Sequence, residues 1–388
     1  MSRTAHLDMH VDFSEIYPSA FSVDAPLLHT LKVTIIGVDP LPDDFLACYA
    51  PALRELDYTT FRVTLLAPLT LLIFARLTSL HILTAYNSKD EPFHELLDGL
   101  LNGLEGMHEL ERLDVHFADQ NKGNIEAEEP VQEHRRVTLR KLAYLELMAS
   151  LQEVTMIISS LSLPAHAVAR YTLELSTYSL PDRFFPLILA SVHCHADPAA
   201  DSSNSITSLD IGLASVKAAR TDAHTDEPTV IVLFLGDRQW PARAALNALA
   251  SVHLRELSLD CNLFKPGPWP DMLALRRLEV HGSMASLCQN LQSVPPSVPA
   301  LAVLELVFVE IPAEGSGGTE GEAAWLLPRI LAARAEAGCR LEELDVMKCA
   351  VDGTWVVHAQ TMLPGTRVLW DEDAREKYRE EWAEADDE

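Results

Sequence analysis

The side chains of this 388-residue chain that could do chemistry are gathered in a few short stretches. "SVHCHADP" sets His193, Cys194 and His195 side by side, and imidazole and thiolate are ligands for soft or borderline metal ions. A tetrahedral site needs a second ligand pair at matching spacing, and none accompanies this one, so the stretch reads as a surface turn. "EGSGGTEGE" (314–322) is glycine-rich, like a loop that cradles phosphate. It carries no lysine, and its acidic neighbours would repel phosphate, so it reads as a linker. The chain has no H-E-x-x-H, no G-x-S-x-G and no strand-bound G-x-G-x-x-G. Among 57 acidic residues no pair stands out for acid–base work. The sequence predicts no catalytic residue, no metal site and no cofactor: a protein that is not an enzyme.

Charge narrows the range of partners. The net charge is −27, from 57 acidic against 30 basic residues. Nucleic acid and anionic membrane both require excess Lys and Arg, so neither is expected as a partner, whereas a basic protein is compatible. The six cysteines (48, 194, 261, 288, 339 and 349) lie far apart without a C-x-x-C pair. The opening "MSRTAHLDMHVDFSEIY" has no apolar run of signal-peptide length. Reduced thiols in the cytoplasm or nucleus are the expectation. The most apolar run, "VTLLAPLTLLIFA", is interrupted by Pro68 and falls short of the roughly 20 residues that span a bilayer.

A single template organises the chain. L-x-x-L-x-L occurs as "LHTLKV" (28–33), "LRELDY" (53–58), "LTSLHI" (77–82), "LERLDV" (110–115) and "LAYLEL" (142–147). It returns as "LRELSL" (254–259), "LRRLEV" (275–280), "LAVLEL" (301–306) and "LEELDV" (341–346). "YTLEL" (171–175), "ITSLDI" (206–211) and "VIVLFL" (230–235) read as degenerate copies. Two copies extend further, with Asn262 or Cys349 eight residues after the first leucine, which completes the leucine-rich-repeat signature. The closing L-x-L has period two, a short strand with both apolar side chains inward. The first leucine belongs to the turn that feeds the strand. One such unit cannot cover its own leucines, so neighbouring units must stack on it. Amphipathic helices would not change from period three to period two at the same place in every copy.

The predicted fold is therefore an α/β leucine-rich-repeat solenoid, an irregular horseshoe over residues 1–370, with parallel strands on the concave face and helices and loops on the convex face. Helices are predicted at 90–107, 150–164, 241–252 and 322–338, the last closing at Gly338. Surface insertions are predicted near 118–136, 196–205 and 313–322. Residues 371–388 hold ten acidic and three basic residues and read as a solvated, partly helical tail. The first strand, near Leu28, is expected to present an uncapped edge that could pair with another module or molecule.

Around the repeats, "YAPALRELDYTTFRVTLLAPLTLLIFARLTSLHILTA" (49–85) resembles the a-P-x-L-r-x-L unit followed by L-T-x-L of the expanded F-box and leucine-rich-repeat proteins of mushroom-forming fungi. "VTLRKLAYLELMASLQEVTMIISSLSLPAHA" (137–167) is similar to a further unit of that family, and "GTRVLWDEDAREKY" to its terminal strand and acidic close. The resemblance implies the substrate-recognition subunit of an SCF-type ubiquitin ligase, in which an F-box docks a Skp-type adaptor and the repeats hold the substrate. "LPDDFLACYAPALREL" (41–56) opens like an F-box, but no basic, Trp-containing second half follows. An adaptor is thus expected only if an F-box is supplied upstream. The other reading is a stand-alone scaffold or inhibitor that binds a basic protein without any ligase.

In L-x-x-L-x-L the residue between the last two apolar positions faces away from the core. That column runs Lys32, Asp57, His81, Asp114, Glu146, Ser258, Glu279, Glu305 and Asp345, and six of the nine are acidic, more than overall composition supplies. Glu55, Arg112, Tyr144, Glu256, Arg277, His281 and Glu343 flank it. A binding face for a basic protein segment is expected there, with Asp57, Asp114, Tyr144, Glu146, Glu279, Glu305 and Asp345 as its contact residues.

Overall fold

The computed structural model describes residues 5–12, 24–36, 50–60, 72–86, 93–119, 135–164, 167–174, 206–211, 215–220, 230–235, 246, 254–261, 269–292, 297–311 and 318–377. The chain forms two compact units, Met1–Asp201 with Thr229–Arg238, and Ser202–Pro228 with Gln239–Glu388. Each is mixed α/β and built on parallel strands.

In the first unit the strands are β1 (His6–Asp12), β2 (Thr30–Ile36), β3 (Glu55–Thr60), β4 (Ser79–Tyr86), β5 (Arg112–Asp119), β6 (Val137–Thr138), β7 (Tyr144–Ser150), β8 (Leu161–Ser162) and β9 (Val168–Glu174). β10 (Ile206–Ile211) and β11 (Ser215–Arg220) belong to the second unit, and β12 (Val230–Leu235) again to the first. The first unit's large sheet is wholly parallel, in the order β1-β2-β3-β4-β5-β7-β9-β12, while β6 and β8 pair separately. The three degenerate copies fall on strands: Tyr171–Glu174 of "YTLEL" lie in β9, and the other two coincide with β10 and β12.

The second unit adds β13 (Glu256–Asp260), β14 (Arg277–His281), β15 (Val303–Ile311), β16 (Glu343–Val351) and β17 (Arg367–Trp370). Its strands run β11-β10-β13-β14-β15-β16-β17, parallel except for the antiparallel β10–β11 pair.

The repeat template explains the strands that carry it and their entrances. The first leucine of a copy closes a tight turn: the amide of Leu28 donates to the carbonyl of Ala25, Leu53 to Ala50, Leu77 to Phe74, Leu110 to Met107, Leu275 to Met272 and Leu301 to Val298. The strand then alternates. Leu113, Val115 and Phe117 are buried, as are Leu145, Leu147 and Ala149 beside them. Successive copies are joined at the entrance by one carbonyl that accepts two amides from the next copy. His29 accepts from Arg54 and Glu55, Arg54 from Thr78 and Ser79, and Thr78 from Glu111 and Arg112. Arg255, Arg276 and Ala302 repeat this in the second unit. The edge expected near Leu28 is occupied, because β1 lies parallel to β2 over its whole length. Leu7 and Met9 match the last two apolar positions of the template, but Thr4 stands where its first leucine would be.

Helices return the chain between strands. Helix α1 (Phe93–Glu105) buries Leu96, Leu97, Leu100, Leu101 and Leu104. Helix α2 (Leu151–Ser160) begins with a capping box, in which the Ser150 hydroxyl accepts from the Glu153 amide and the Glu153 carboxylate accepts from the Ser150 amide. It ends earlier than predicted, since Leu161 and Ser162 already form β8. Helix α3 (Met284–Leu291), capped by Ser283, was not predicted. Helix α4 (Gly318–Glu336) starts four residues before the expected boundary, so the glycine-rich stretch supplies its first turn rather than a linker alone. Its end is as expected. Gly338, at φ +87°, takes the left-handed turn, and the Cys339 amide returns to the Arg334 carbonyl. Helix α5 (Gly353–Met362) buries Trp355, whose Nε1 donates to the Ala324 carbonyl at 2.9 Å. The acidic tail is not wholly solvated: α6 (Ala374–Lys377) buries Ala374. Residues 120–134, 196–205 and 378–388, and all of 241–252 except Leu246, lie outside the described residues.

Polar groups in the core are spent on the same stacking. The Cys349 thiol, at the signature position, donates to the Leu306 carbonyl of the preceding repeat at 3.0 Å, and burial pushes its pKa up to about 12. Arg334 is buried, and its Nη2 donates to the Val298 carbonyl at 2.7 Å. Cys261, Cys288, Cys339 and Cys349 are free thiols. No helix among the described residues is long and apolar enough to cross a membrane.

β15 and β16 break the simple alternation. β16 takes one extra residue between Asp345 and Lys348, and β15 takes one between Val307 and Glu310, after which the original pairing offset returns. Phe308 adopts φ +55° there, and burial changes phase from Leu304 and Leu306 to Val307, Val309 and Ile311.

Leu145→Ala, which empties a wholly buried position between two flanking strands, is expected to destabilise the protein by about 2–5 kcal/mol. Ser150→Ala, which removes the α2 cap, is expected to cost about 1 kcal/mol. Urea denaturation followed by circular dichroism measures both, and equal losses for the two variants would contradict this account of the core.

Candidate binding face

Parallel pairing without a slip turns the sequence column into a physical row. In the first unit the register aligns Asp8, Lys32, Asp57, His81, Asp114, Glu146 and Arg170 on successive strands. In the second it aligns Asp210, Ser258, Glu279, Glu305 and Asp345. Adjacent strands lie about 4.8 Å apart, so neighbouring members of a row are within reach of one another's side chains. The predicted contact residues thus fall into two sets, one per unit, and each set stands on one sheet face.

The charges on these rows are mostly matched. In the first unit Lys32 Nζ lies 3.4 Å from Asp57 Oδ2, and Asp57 Oδ1 lies 2.9 Å from His81 Nδ1. His81 Nε2 is 4.0 Å from Asp114 Oδ2, and His116 Nε2 is 2.8 Å from Asp114 Oδ1. Glu146 accepts from the Tyr144 hydroxyl at 2.8 Å and faces Arg170 Nε at 3.6 Å. The Arg112 guanidinium lies 4.7 Å from the centre of the Tyr144 ring, a cation–π stack that holds the phenol beside the row. Burial, and next the Glu146 carboxylate, raise the Tyr144 pKa, so the phenol stays protonated as a donor.

The second unit follows the same rule. Glu279 accepts from Ser258 Oγ at 3.3 Å and meets His281 Nε2 at 2.8 Å, a contact that holds its carboxyl below the usual range. Glu305 is bound by Arg277 at 2.5 Å and Lys348 at 3.6 Å and is only 7% exposed. Asp345 accepts the Met347 amide at 2.9 Å, and Arg367 Nε donates to the flanking Glu343 at 2.9 Å.

The expected acidic stripe is therefore altered in character. Its carboxylates share a sheet face within each unit, Glu305 being buried there, and Asp57, Asp114, Glu146, Glu279 and Glu305 each have a cationic or imidazole partner within 4.0 Å. Within each unit the row's carboxylates stand against neighbouring basic or imidazole side chains rather than forming a bare anionic row. Sequence reading missed three of those partners. His116 was legible, since it stands two residues after Asp114 and period two returns it to the same face. Arg170 stands just before "YTLEL", between Ala169 and Tyr171, which take the places of the two leucines. Lys348 reaches Glu305 only because the extra residue in β16 shifts it, and no pattern in the sequence announces that bulge.

His193, Cys194 and His195 lie outside the described residues, as do residues 41–49 of the F-box-like stretch, whose end is the turn and strand of β3. No family model matches this chain, and no curated protein matches it.

Contact with the Asp114 carboxylate raises the His116 pKa above its ordinary 6.5, against the opposing effect of partial burial and with help from Glu146. The folded state then holds the imidazole proton more tightly than the unfolded chain. The pair's contribution to stability is complete below the ordinary histidine pKa and is lost as pH rises through the raised value. An NMR titration of the histidine ring protons is expected to place His116 above 6.5, and Asp114→Asn to bring it down; an unchanged midpoint in that variant would refute the coupling.

Proposed function

We propose that this chain is a protein-binding scaffold of the leucine-rich-repeat type, a solenoid that presents its strand faces to another protein and performs no catalysis itself. The observation that carries the reading is the in-register row of outward polar side chains, one per repeat, held in place by ion pairs with their neighbours. A row that is already ordered loses little side-chain entropy when a partner docks, which favours specific recognition. Because many of its carboxylates already have partners, the partner that fits carries both basic and polar groups, with basic groups near Glu146 and Glu279, rather than a uniformly basic tail.

Within that reading, the resemblance of residues 49–85 and 137–167 to the fungal F-box and leucine-rich-repeat proteins supports a role as the substrate-recognition part of an SCF-type ubiquitin ligase, in the cytoplasm or nucleus. A Skp-type adaptor would then be the second partner. The ligase role rests on that resemblance, and the scaffold role on the row.

Affinity capture from cells expressing the tagged chain, with quantitative mass spectrometry, tests both. Glu146→Lys and Glu279→Lys are expected to lose specific partners by about tenfold or more, in line with an interfacial charge pair broken by reversal. Val357→Glu, on an exposed helical position away from the rows, is expected to keep them. Capture of one and the same set by all four proteins removes the binding face. Absence of a Skp-type adaptor from every capture removes the ligase role and leaves the scaffold.

A further inference from the structure

One part of the first unit's row is built differently from the rest. His81 on β4 and Asp114 on β5 are register partners, and His116 follows Asp114 by two residues, so strand alternation puts all three side chains on one face. One ligand atom from each, an imidazole nitrogen or a carboxylate oxygen, lies within 4.8 Å of the other two. The three side chains are partly covered, at 34%, 14% and 28% exposed.

Two details distinguish this group from an ordinary ion pair. Asp57 Oδ1 sits 2.9 Å from His81 Nδ1. A proton on Nδ1 donates to that carboxylate, and the Nε2 lone pair is then left directed toward Asp114. This is the arrangement by which an outer carboxylate fixes the tautomer and the ring orientation of a metal-binding histidine. The second detail concerns Asp114 and His116. Asp114 Oδ1 and His116 Nε2 are 2.8 Å apart and closed off from solvent, yet neither atom makes a hydrogen bond of acceptable geometry. Buried polar atoms are rarely left so, and a third body between them would satisfy both.

We propose that His81, Asp114 and His116 form a binding site for a divalent transition-metal ion of the zinc class. Two imidazoles and one carboxylate are a donor set suited to Zn²⁺ and its neighbours, whereas Ca²⁺ and Mg²⁺ favour oxygen ligands throughout. Zinc–ligand bonds of about 2.0–2.2 Å in a tetrahedron place ligand atoms about 3.4 Å apart. Asp114 Oδ1 lies 2.8 Å from His116 Nε2, Asp114 Oδ2 lies 4.0 Å from His81 Nε2, and one ligand atom from each residue lies within 4.8 Å of the other two, so closing on an ion requires side-chain movements on the order of 1 Å. Three protein ligands leave a further coordination position for water at the exposed face. Glu146, next to Asp114 in register, and Asp57 behind His81 add negative potential that attracts a cation.

The site is independent of the scaffold reading and is tested without any partner protein. The full chain, stripped with a chelator, is titrated with Zn²⁺ against a chromophoric competitor and separately with Co²⁺, whose visible absorption reports coordination geometry. One equivalent bound at micromolar affinity or tighter is expected, with excess Mg²⁺ or Ca²⁺ failing to compete. Asp114→Asn and His116→Asn are expected to abolish that equivalent, and Asp57→Asn to weaken it by about 10–100-fold, as loss of an outer-shell partner does. His81→Cys is expected to retain binding and to add a thiolate-to-Co²⁺ charge-transfer band, since thiolate is also a ligand. His281→Gln, at the other histidine–carboxylate contact, is expected to bind as the parent does. Because a variant could fail to fold, the parent chain is also followed by NMR, where substoichiometric Co²⁺ is expected to shift the His81 and His116 ring signals before those of other histidines. No stoichiometric binding by the parent, binding unaffected by Asp114→Asn, or Co²⁺ effects confined to other histidines would each overturn the site.

Discussion

Everything in this structure depends on leucines that no single repeat can cover. A copy of L-x-x-L-x-L exposes three apolar side chains on one side of a six-residue segment, and burying each is worth about 1.5–3 kcal/mol. They are buried only when another copy lies alongside. The parallel ladder satisfies the backbone of two copies in the act of bringing their leucines together, so hydrogen bonding and hydrophobic burial favour one and the same register. The shared carbonyls at His29, Arg54 and Thr78 show how tightly that register is held, since each fixes two amides of the following copy.

Register then dictates surface chemistry. Residues separated by two or three dozen positions along the chain become neighbours about 4.8 Å apart. Asp57 meets His81 and Glu305 meets Arg277 for no other reason. Once aligned, unmatched carboxylates would repel one another along the whole row. Lys32, Arg170, Arg277 and Lys348 offset part of that repulsion, and the imidazoles of His81 and His281 sit against two further carboxylates.

What the sequence revealed and concealed follows from the same constraint. Strands were legible because their period is set by core burial, which leucine spacing records directly; even the degenerate "ITSLDI" and "VIVLFL" became β10 and β12. The column on the outer face was legible for the same reason. Edges were not. β1 carries Leu7, Met9 and Val11 in register with Leu31, Val33 and Ile35, but no leucine stands three residues before Leu7 to complete the template. Helices α3 and α5 are short, and their serine and aspartate caps carry the signal more than their periodicity does. Partners supplied through a bulge or a degenerate copy, Lys348 and Arg170, could not be read by counting along strands.

The paired irregularity of β15 and β16 has an effect beyond bending a strand. Each inserts one residue, and the second restores what the first displaced. Between the two, the odd–even code that assigns side chains to inside or outside runs out of step, so a polar lysine surfaces where an apolar residue is due and Val307 turns inward. The slip is self-cancelling, and the cysteine that marks the end of the repeat still arrives under the preceding strand. A parallel sheet can thus change the chemistry of one patch of its face while leaving the leucine core, and the pairing of β16 with β17, in frame.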